Sequence, residues 1–160
     1  MKKLLSSFAL ASIALSTVTF STLSTATEVK TEKQAKAAVQ FRQALLQLVR
    51  SNMGPLGAMA KGNIPYDAQV MIKNGQRMEQ LGLMMEDYFT PNTTAFDVET
   101  GALDNIWSNQ ADFNQKAQNM VEAAANVQSV AQAGATDDYR KAIGALGATC
   151  KACHDDYKKD

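Results

Sequence analysis

Near the C-terminus, five residues, CKACH, contain both cysteines of the chain and its only histidine. Cys150 and Cys153 are three residues apart, and His154 follows directly. Two thiols and an imidazole at this spacing could form a redox dithiol, a disulfide or part of a metal site. They could also anchor a c-type haem, whose attachment signature is Cys-x-x-Cys-His. In that case the thiols would add to two vinyl groups as thioethers, and the imidazole would bind the iron.

The spacing of apolar residues predicts that this motif lies on a helix starting near Thr136. The stripe is Tyr139, Ala142, Ile143, Leu146, Cys150, Cys153, His154 and Tyr157. It places both cysteines and His154 on the core-facing side, where the thiols can meet one flat object.

The position of the motif on this helix separates the alternatives. A redox dithiol usually lies at a helix N-terminus, whereas this pair is near a C-terminus, where the helix dipole opposes a thiolate. A four-ligand zinc site needs more Cys or His than the chain contains. A disulfide three residues apart would close a very small loop. The sequence therefore favours covalently bound haem c, one per chain.

A second line of residues, at helical spacing near the start of the chain, concerns the other side of the iron. Arg42, Leu46, Val49 and Met53 form this line. We expect it to face the haem, with Arg42 meeting a propionate and Leu46 covering the iron. Without another histidine, a sixth iron ligand would have to be Met, Lys or the N-terminus.

Four helical segments account for most of the chain. They cover about 31–53, 65–89, 104–133 and 136 onward, and the first is expected to stop near Gly54-Pro55. The predicted apolar stripe of the first helix is Ala38, Phe41, Leu45, Leu48 and Asn52. That of the second is Ala68, Met71, Ile72, Gly75, Met78, Gly82, Met85 and Phe89. With short links, these helices predict an all-α, antiparallel up-down-up-down four-helix bundle.

The N-terminus predicts export. Lys2 and Lys3 precede an uncharged run and the small residues Ser24 and Ala26, which is typical of a signal peptide cleaved after Ala26. Residues 1–26 are thus expected to be removed, leaving one domain, 27–160, in the periplasm. The formal net charge is zero without a basic block, which gives no indication of nucleic-acid binding, and no other segment could span a membrane.

Several segments together resemble cytochrome c′, a class II cytochrome c, over essentially the whole mature chain. FRQALLQLVRSNMGPLGAMAKG is similar to the first helix of that family and the loop after it. KGNIPYDA is similar to the Lys-Gly-x-x-Pro-Tyr-Asp-Ala segment that opens its second helix. NIWSNQADF and GATCKACHDDYKK resemble its third helix and its haem-binding end.

The resemblance implies how the iron is coordinated. Low-spin relatives have a Met four residues after the Arg of the first helix, and this chain has Leu46 there. The resemblance therefore implies a five-coordinate, mainly high-spin iron that binds NO and CO and discriminates against dioxygen. It also implies a homodimer through the first two helices. The family often has Arg where this chain has Lys158, four residues after His154.

Two further residues complete the predicted pocket, and two functions remain open. Lys158 could fold over the imidazole or neutralise the helix C-terminus, and Phe89 is expected in the core or at the haem edge. The first function is a periplasmic haem protein that binds NO or CO and can take part in electron transfer. The alternative is a dedicated electron carrier with incidental gas binding, whose redox partner the sequence does not identify. An enzymatic role is not expected, because no distal acid–base pair is apparent.

Overall fold

A computed structural model describes residues 26–159, which form five α-helices and two very short strands. In chain order these are β1 (Thr27–Glu28), α1 (Glu32–Ala60), α2 (Ala68–Phe89), β2 (Pro91–Asn92), α3 (Asn105–Ser108), α4 (Gln110–Gln132) and α5 (Tyr139–Tyr157). The predicted signal peptide lies outside the described residues apart from Ala26. No helix within 26–159 has both the length and the apolar character needed to cross a membrane.

The four long helices form an antiparallel bundle in which α1 and α4 each pack against α2 and α5. Along the interface between α2 and α4, Gly82 faces Val121. Two turns further along α2, Phe89 packs against Phe113. Residue numbers rise on α2 as they fall on α4, so the two helices run in opposite directions. The prediction of an all-α up-down-up-down bundle is confirmed.

Helix α1 begins as the sequence predicts but does not stop at Gly54-Pro55. The Thr31 hydroxyl accepts a hydrogen bond from Gln34 N at 3.2 Å, and the Gln34 side chain accepts one from Lys30 N at 3.0 Å. Pro55 lies inside the helix, which continues to Ala60. A proline costs a helix one N–H donor, and Gly54 reduces the usual clash because it has no Cβ to meet the proline ring.

The buried face of α1 also differs from the predicted stripe. Leu45 and Asn52 are buried, but Phe41 and Leu48 are 57% and 54% exposed. Arg42 is only 3% exposed and takes a core position that hydrophobicity alone would assign to an apolar residue. The polar Arg42 therefore belongs to the interior of the bundle, and the apolar Phe41 and Leu48 to its surface.

The remaining helices lie where the sequence predicts them, but their ends are shifted. Helix α2 begins after Asp67, whose carboxylate accepts hydrogen bonds from Gln69 N and Val70 N, rather than at Pro65. Asn109 divides the predicted third helix into α3 and α4, because its backbone leaves the helical region while its side chain donates to Asn105 O. Residues 136–138 form a turn, so α5 starts at Tyr139.

Candidate functional site

Helix α5 presents both cysteines toward the interior, one turn apart. Cys150 and Cys153 are half-buried and not joined by a disulfide, and Cys150 Sγ contacts Leu146 O at 3.6 Å. Burial raises the pKa of Cys150, and it raises the pKa of Cys153 to about 11 although nearby Lys116 acts in the opposite direction. Both groups are therefore protonated thiols near neutral pH, which is unlike a reactive redox dithiol.

His154 is exposed, so its predicted place on the core-facing side of α5 is wrong. Tyr157, one turn later, takes the core position: its ring lies 5.4 Å from that of Phe113, and its hydroxyl donates to Asp112 at 2.6 Å. The imidazole lies instead at the edge of the buried face. It shares a side of the helix with Gly147, seven residues earlier, which is two turns of an α-helix.

The contacts between α1 and α5 define what lies level with His154. Arg140 Nη1 donates to Ala60 O at 2.6 Å, and seven residues along each helix Met53 Cε lies 3.6 Å from the Cβ position of Gly147. Seven residues further, this antiparallel register brings Leu46 to the level of His154. Leu46 is on the same side of α1 as Met53, so it and the imidazole lie on the facing sides of the two helices.

Arg42, one turn before Leu46, is a buried cation with an incomplete set of partners. Its Nη2 donates to Thr93 Oγ1 at 2.9 Å and its Nε to Ala38 O at 3.2 Å, while Nη1 is buried without a hydrogen-bond partner. Among residues 26–159 no carboxylate lies within ion-pair distance of it. Burial accordingly lowers the pKa of Arg42 to about 10.

An unpaired buried guanidinium nitrogen is the feature that a haem propionate would satisfy, because buried charges in proteins are normally paired. The half-buried thiols of Cys150 and Cys153, one turn apart, suit attachment to one planar group. The residues present therefore fit a covalently bound haem. By contrast, within 26–159 no three His, Cys, Asp or Glu side chains come together as a metal-ion site.

Aromatic rings pack around Arg42 and continue toward α5. The guanidinium carbon lies 5.1 Å from the Trp107 ring centroid and 5.6 Å from that of Phe89. Phe89 is buried, its ring lies 4.7 Å from Phe113, and its carbonyl accepts a hydrogen bond from Trp107 Nε1 at 2.9 Å. Phe89 thus joins the Arg42 environment to the core beneath Tyr157.

Lys158 ends α5 and does not lie over the imidazole. Its N–H donates to His154 O at 3.3 Å, and its Nζ donates to Lys159 O at 2.9 Å. It lines an open cleft of about 630 Å³ between the first half of α1 and the segment before α3. The other residues of this cleft are Gln43, Glu99, Thr100, Gly101 and Lys159.

Sequence reasoning missed two partners of the site. Thr93, in a segment predicted only as loop, is 4% exposed and holds Arg42. Lys116 of α4 forms ion pairs with Asp156 at 2.9 Å and Asp112 at 3.7 Å, next to Cys153. The Thr93–Arg42 bond and the Lys116–Asp156 pair have no sequence signal, because each joins residues far apart in the chain.

Comparison with known proteins gives concordant results. A family model described as Cytochrome C' matches residues 37–158. Cytochrome c' from Alcaligenes xylosoxydans xylosoxydans is 38% identical over 122 residues, covering 76% of this chain and 93% of that protein.

Solved structures agree with the sequence matches. Cytochrome c prime from Shewanella frigidimarina is similar with a TM-score of 0.71 at 32% identity, covering 79% of this chain and 97% of that one. The nitric oxide complex of a leucine-to-alanine mutant of cytochrome c prime from Alcaligenes xylosoxidans has a TM-score of 0.69 at 35% identity, covering 79% and 96%.

Proposed function

The chain belongs to the cytochrome c′ family, whose members carry covalently attached haem c, and we propose that it is a periplasmic protein that binds NO and CO at five-coordinate, high-spin iron. In this proposal the protein can also take part in electron transfer. The proposal is supported by the register of α1 against α5, in which the Met53–Gly147 and Arg140–Ala60 contacts bring Leu46 to the level of His154. A side chain without a ligand atom then stands where a second axial ligand would be needed.

The cysteines and the histidine of α5 hold the cofactor. Cys150 and Cys153 would hold the group through thioether bonds to its two vinyl substituents, each formed by addition of S–H across a C=C bond without an oxidant. His154, which is exposed on α5, would bind the iron through an imidazole nitrogen.

Arg42 orients the cofactor from the opposite helix. Its Nη1 is buried and unpaired, and a propionate carboxylate would supply the missing acceptor and the missing charge. Pairing with a carboxylate would return the pKa of Arg42 toward its ordinary value, because an opposite charge favours the charged form. Trp107 and Phe89 pack their rings against the guanidinium.

Leu46 sets which small ligands bind. The haem iron, when bound, supplies the position at which a diatomic gas coordinates. Bound dioxygen is strongly stabilised by a hydrogen-bond donor, and Leu46 has none, whereas NO depends less on such a donor. The NO complex of the relative from Alcaligenes xylosoxidans supports the assignment of NO as a ligand.

The alternative function is a dedicated electron carrier in which gas binding is incidental. A missing sixth ligand favours the first function, because a change of ligation with redox state slows electron exchange. We propose no enzymatic role: His154 is the only histidine of the chain and is already assigned to the iron, so no second one can act as a distal acid or base.

Absorption spectroscopy of the ferrous, haem-loaded protein tests this function. We expect a high-spin spectrum that shifts when NO or CO is added. A six-coordinate, low-spin ferrous spectrum that neither gas changes would contradict the assignment and favour the electron-carrier alternative.

We further propose export and dimerisation. The signal-peptide pattern of residues 1–26 supports a periplasmic location. An apolar surface on α1 and α2, formed by Phe41, Leu48, Met84 and Tyr88, supports a homodimer through these helices. Phe41 and Leu48 are more than half exposed, and the Phe41 ring lies 6.4 Å from that of Tyr88 across the two helices.

A further inference from the structure

The first described residues of the chain are attached to the loop that follows α2. Thr27 and Glu28, which form β1, pair in parallel with Pro91 and Asn92, which form β2. Thr27 N donates to Thr90 O at 2.9 Å, and Val29 N donates to Asn92 O at 3.4 Å. Thr27 and Glu28, which precede α1, are thereby fixed against the segment that follows α2.

The residue after β2 is Thr93, which is buried and whose hydroxyl accepts a hydrogen bond from Arg42 Nη2 at 2.9 Å. Its carbonyl accepts another from Phe96 N at 3.1 Å, so the loop folds back on itself directly after Thr93. The backbone that carries this hydroxyl is therefore held on one side by β1 and on the other by its own turn.

Thr93 is the only tertiary hydrogen-bond partner of Arg42 among the described residues. The second bond of the guanidinium, from Nε to Ala38 O, stays within α1. The bond to Thr93 is thus the one that ties the orientation of the guanidinium to another part of the fold. In that orientation Nη1 is left as the unpaired nitrogen.

We propose that Thr93 is a positioning residue for Arg42 and that pairing of β1 with β2 holds Thr93 in place. The N-terminal strand of the chain then controls, through Thr93, the direction in which the free Nη1 of Arg42 points. That Nη1 would then point toward a haem propionate rests on the function proposed above. The series of hydrogen bonds from β1 through Thr93 to Arg42 does not depend on that function.

The test measures water exchange of the Arg42 Nε–H in ¹⁵N-labelled, haem-loaded protein by NMR. Thr93→Val removes the acceptor at nearly constant side-chain volume. We expect the exchange of the Arg42 Nε–H to accelerate roughly tenfold, because the local opening that exposes it to water then has one buried hydrogen bond less to break. Thr93→Ser keeps the hydroxyl and should retain the original rate. Equal rates in Thr93→Val and Thr93→Ser would overturn the role of Thr93.

Two proline variants test the strand. Val29→Pro removes the N–H that donates to Asn92 O. Glu28→Pro is the matched control, because successive amides of a strand point in opposite directions and the Glu28 N–H points away from β2. We expect faster Arg42 Nε–H exchange in Val29→Pro but not in Glu28→Pro, and no further increase when Val29→Pro is added to Thr93→Val.

Additive effects of Val29→Pro and Thr93→Val would contradict the proposed chain of contacts, as would an unchanged Arg42 signal in Val29→Pro. Thermal unfolding midpoints of all variants separate a local effect from general loss of stability, since a merely structural effect would accelerate exchange at Gly147 and other α5 amides equally. A protein that fails to bind NO or CO would overturn the proposed function and leave these exchange rates as they are.

Discussion

Met53 of α1 lies against Gly147 of α5, with its Cε 3.6 Å from the glycine Cβ position. This contact fixes the register of the two helices that carry Leu46 and His154, because each of these residues lies seven residues further toward the same end of the bundle. The position assigned to Leu46 follows from a contact two turns away and not from hydrophobicity, since Leu46 itself is 41% exposed.

Leu46→Ala should accelerate CO binding to the ferrous protein. Shortening this side chain removes the group over the iron, and we expect roughly a tenfold rate increase, which corresponds to a barrier lower by about 1.4 kcal/mol. Stopped-flow or flash-photolysis kinetics measure the rate. Leu83→Ala, at a similarly exposed leucine on α2, is the control. Unchanged kinetics in Leu46→Ala would show that this residue does not limit access.

Tyr157→Phe should destabilise the bundle by about 1 kcal/mol, the net value of one hydrogen bond. Burial and the hydrogen bond to Asp112 raise the pKa of Tyr157. Stability from a raised pKa is complete below the pKa of the unfolded tyrosine, about 10, and falls as the pH rises above it. The difference between the two proteins in free energy of unfolding should therefore shrink above about pH 10.

Urea unfolding across this pH range measures the effect of Tyr157. Tyr139→Phe is the matched control, since its hydroxyl bonds no other described residue. A Tyr157→Phe difference that stays constant from about pH 7 to pH 11 would be inconsistent with a raised pKa.

Gly82→Ala and Gly144→Ala should change stability in opposite directions. A Cβ at Gly82 would lie 2.7 Å from Val121 Cγ2, so overpacking between α2 and α4 should cost about 1–3 kcal/mol. A Cβ at Gly144 of α5 would meet nothing within 4 Å, and alanine there should add about 0.5–1 kcal/mol. Chemical denaturation distinguishes them, and a neutral Gly82→Ala would mean that the two helices can separate without cost.

Much of this fold can be predicted from the sequence, and the exceptions have physical causes. Periodicity identifies the buried stripe of α2, because Met71, Met78, Met85 and Phe89 recur at helical spacing and are all buried. It misplaces Phe41 on α1, since periodicity does not distinguish an exposed apolar side chain from one that faces the core. Two-residue strands such as β1 have no period, so they could not be predicted.

The candidate site, like the fold, can be predicted only in part from the sequence. Cys150, Cys153 and their half-buried face could be predicted, because the motif is local and lies on one helix. Burial of Arg42 beside Thr93 could not be predicted in full, because it depends on a loop 51 residues away in the chain. The exposure of His154 could not be predicted, because it depends on Tyr157, one turn later, which occupies the core position through its contacts with Phe113 and Asp112.

Phe41→Glu and Leu48→Glu should each convert the haem-loaded protein from dimer to monomer. A carboxylate in the apolar surface of α1 and α2 would be buried without a partner on association. Sedimentation velocity measures the mass. Leu83→Glu provides the control, because Leu83 is 51% exposed but lies outside this surface. Dimers that persist in both α1 variants, or an unmodified protein that is monomeric, would rule out this interface.

In the proposed function, Leu46 faces the iron opposite His154. The most direct measurement is the ferrous absorption spectrum of Leu46→Met beside that of the unmodified protein. A thioether at this position should supply the second axial ligand, so the variant is predicted to be six-coordinate and low-spin and to lose its response to CO, while the unmodified protein is high-spin and responds. A Leu46→Met protein that remains high-spin and binds CO as the unmodified protein does would contradict the claim.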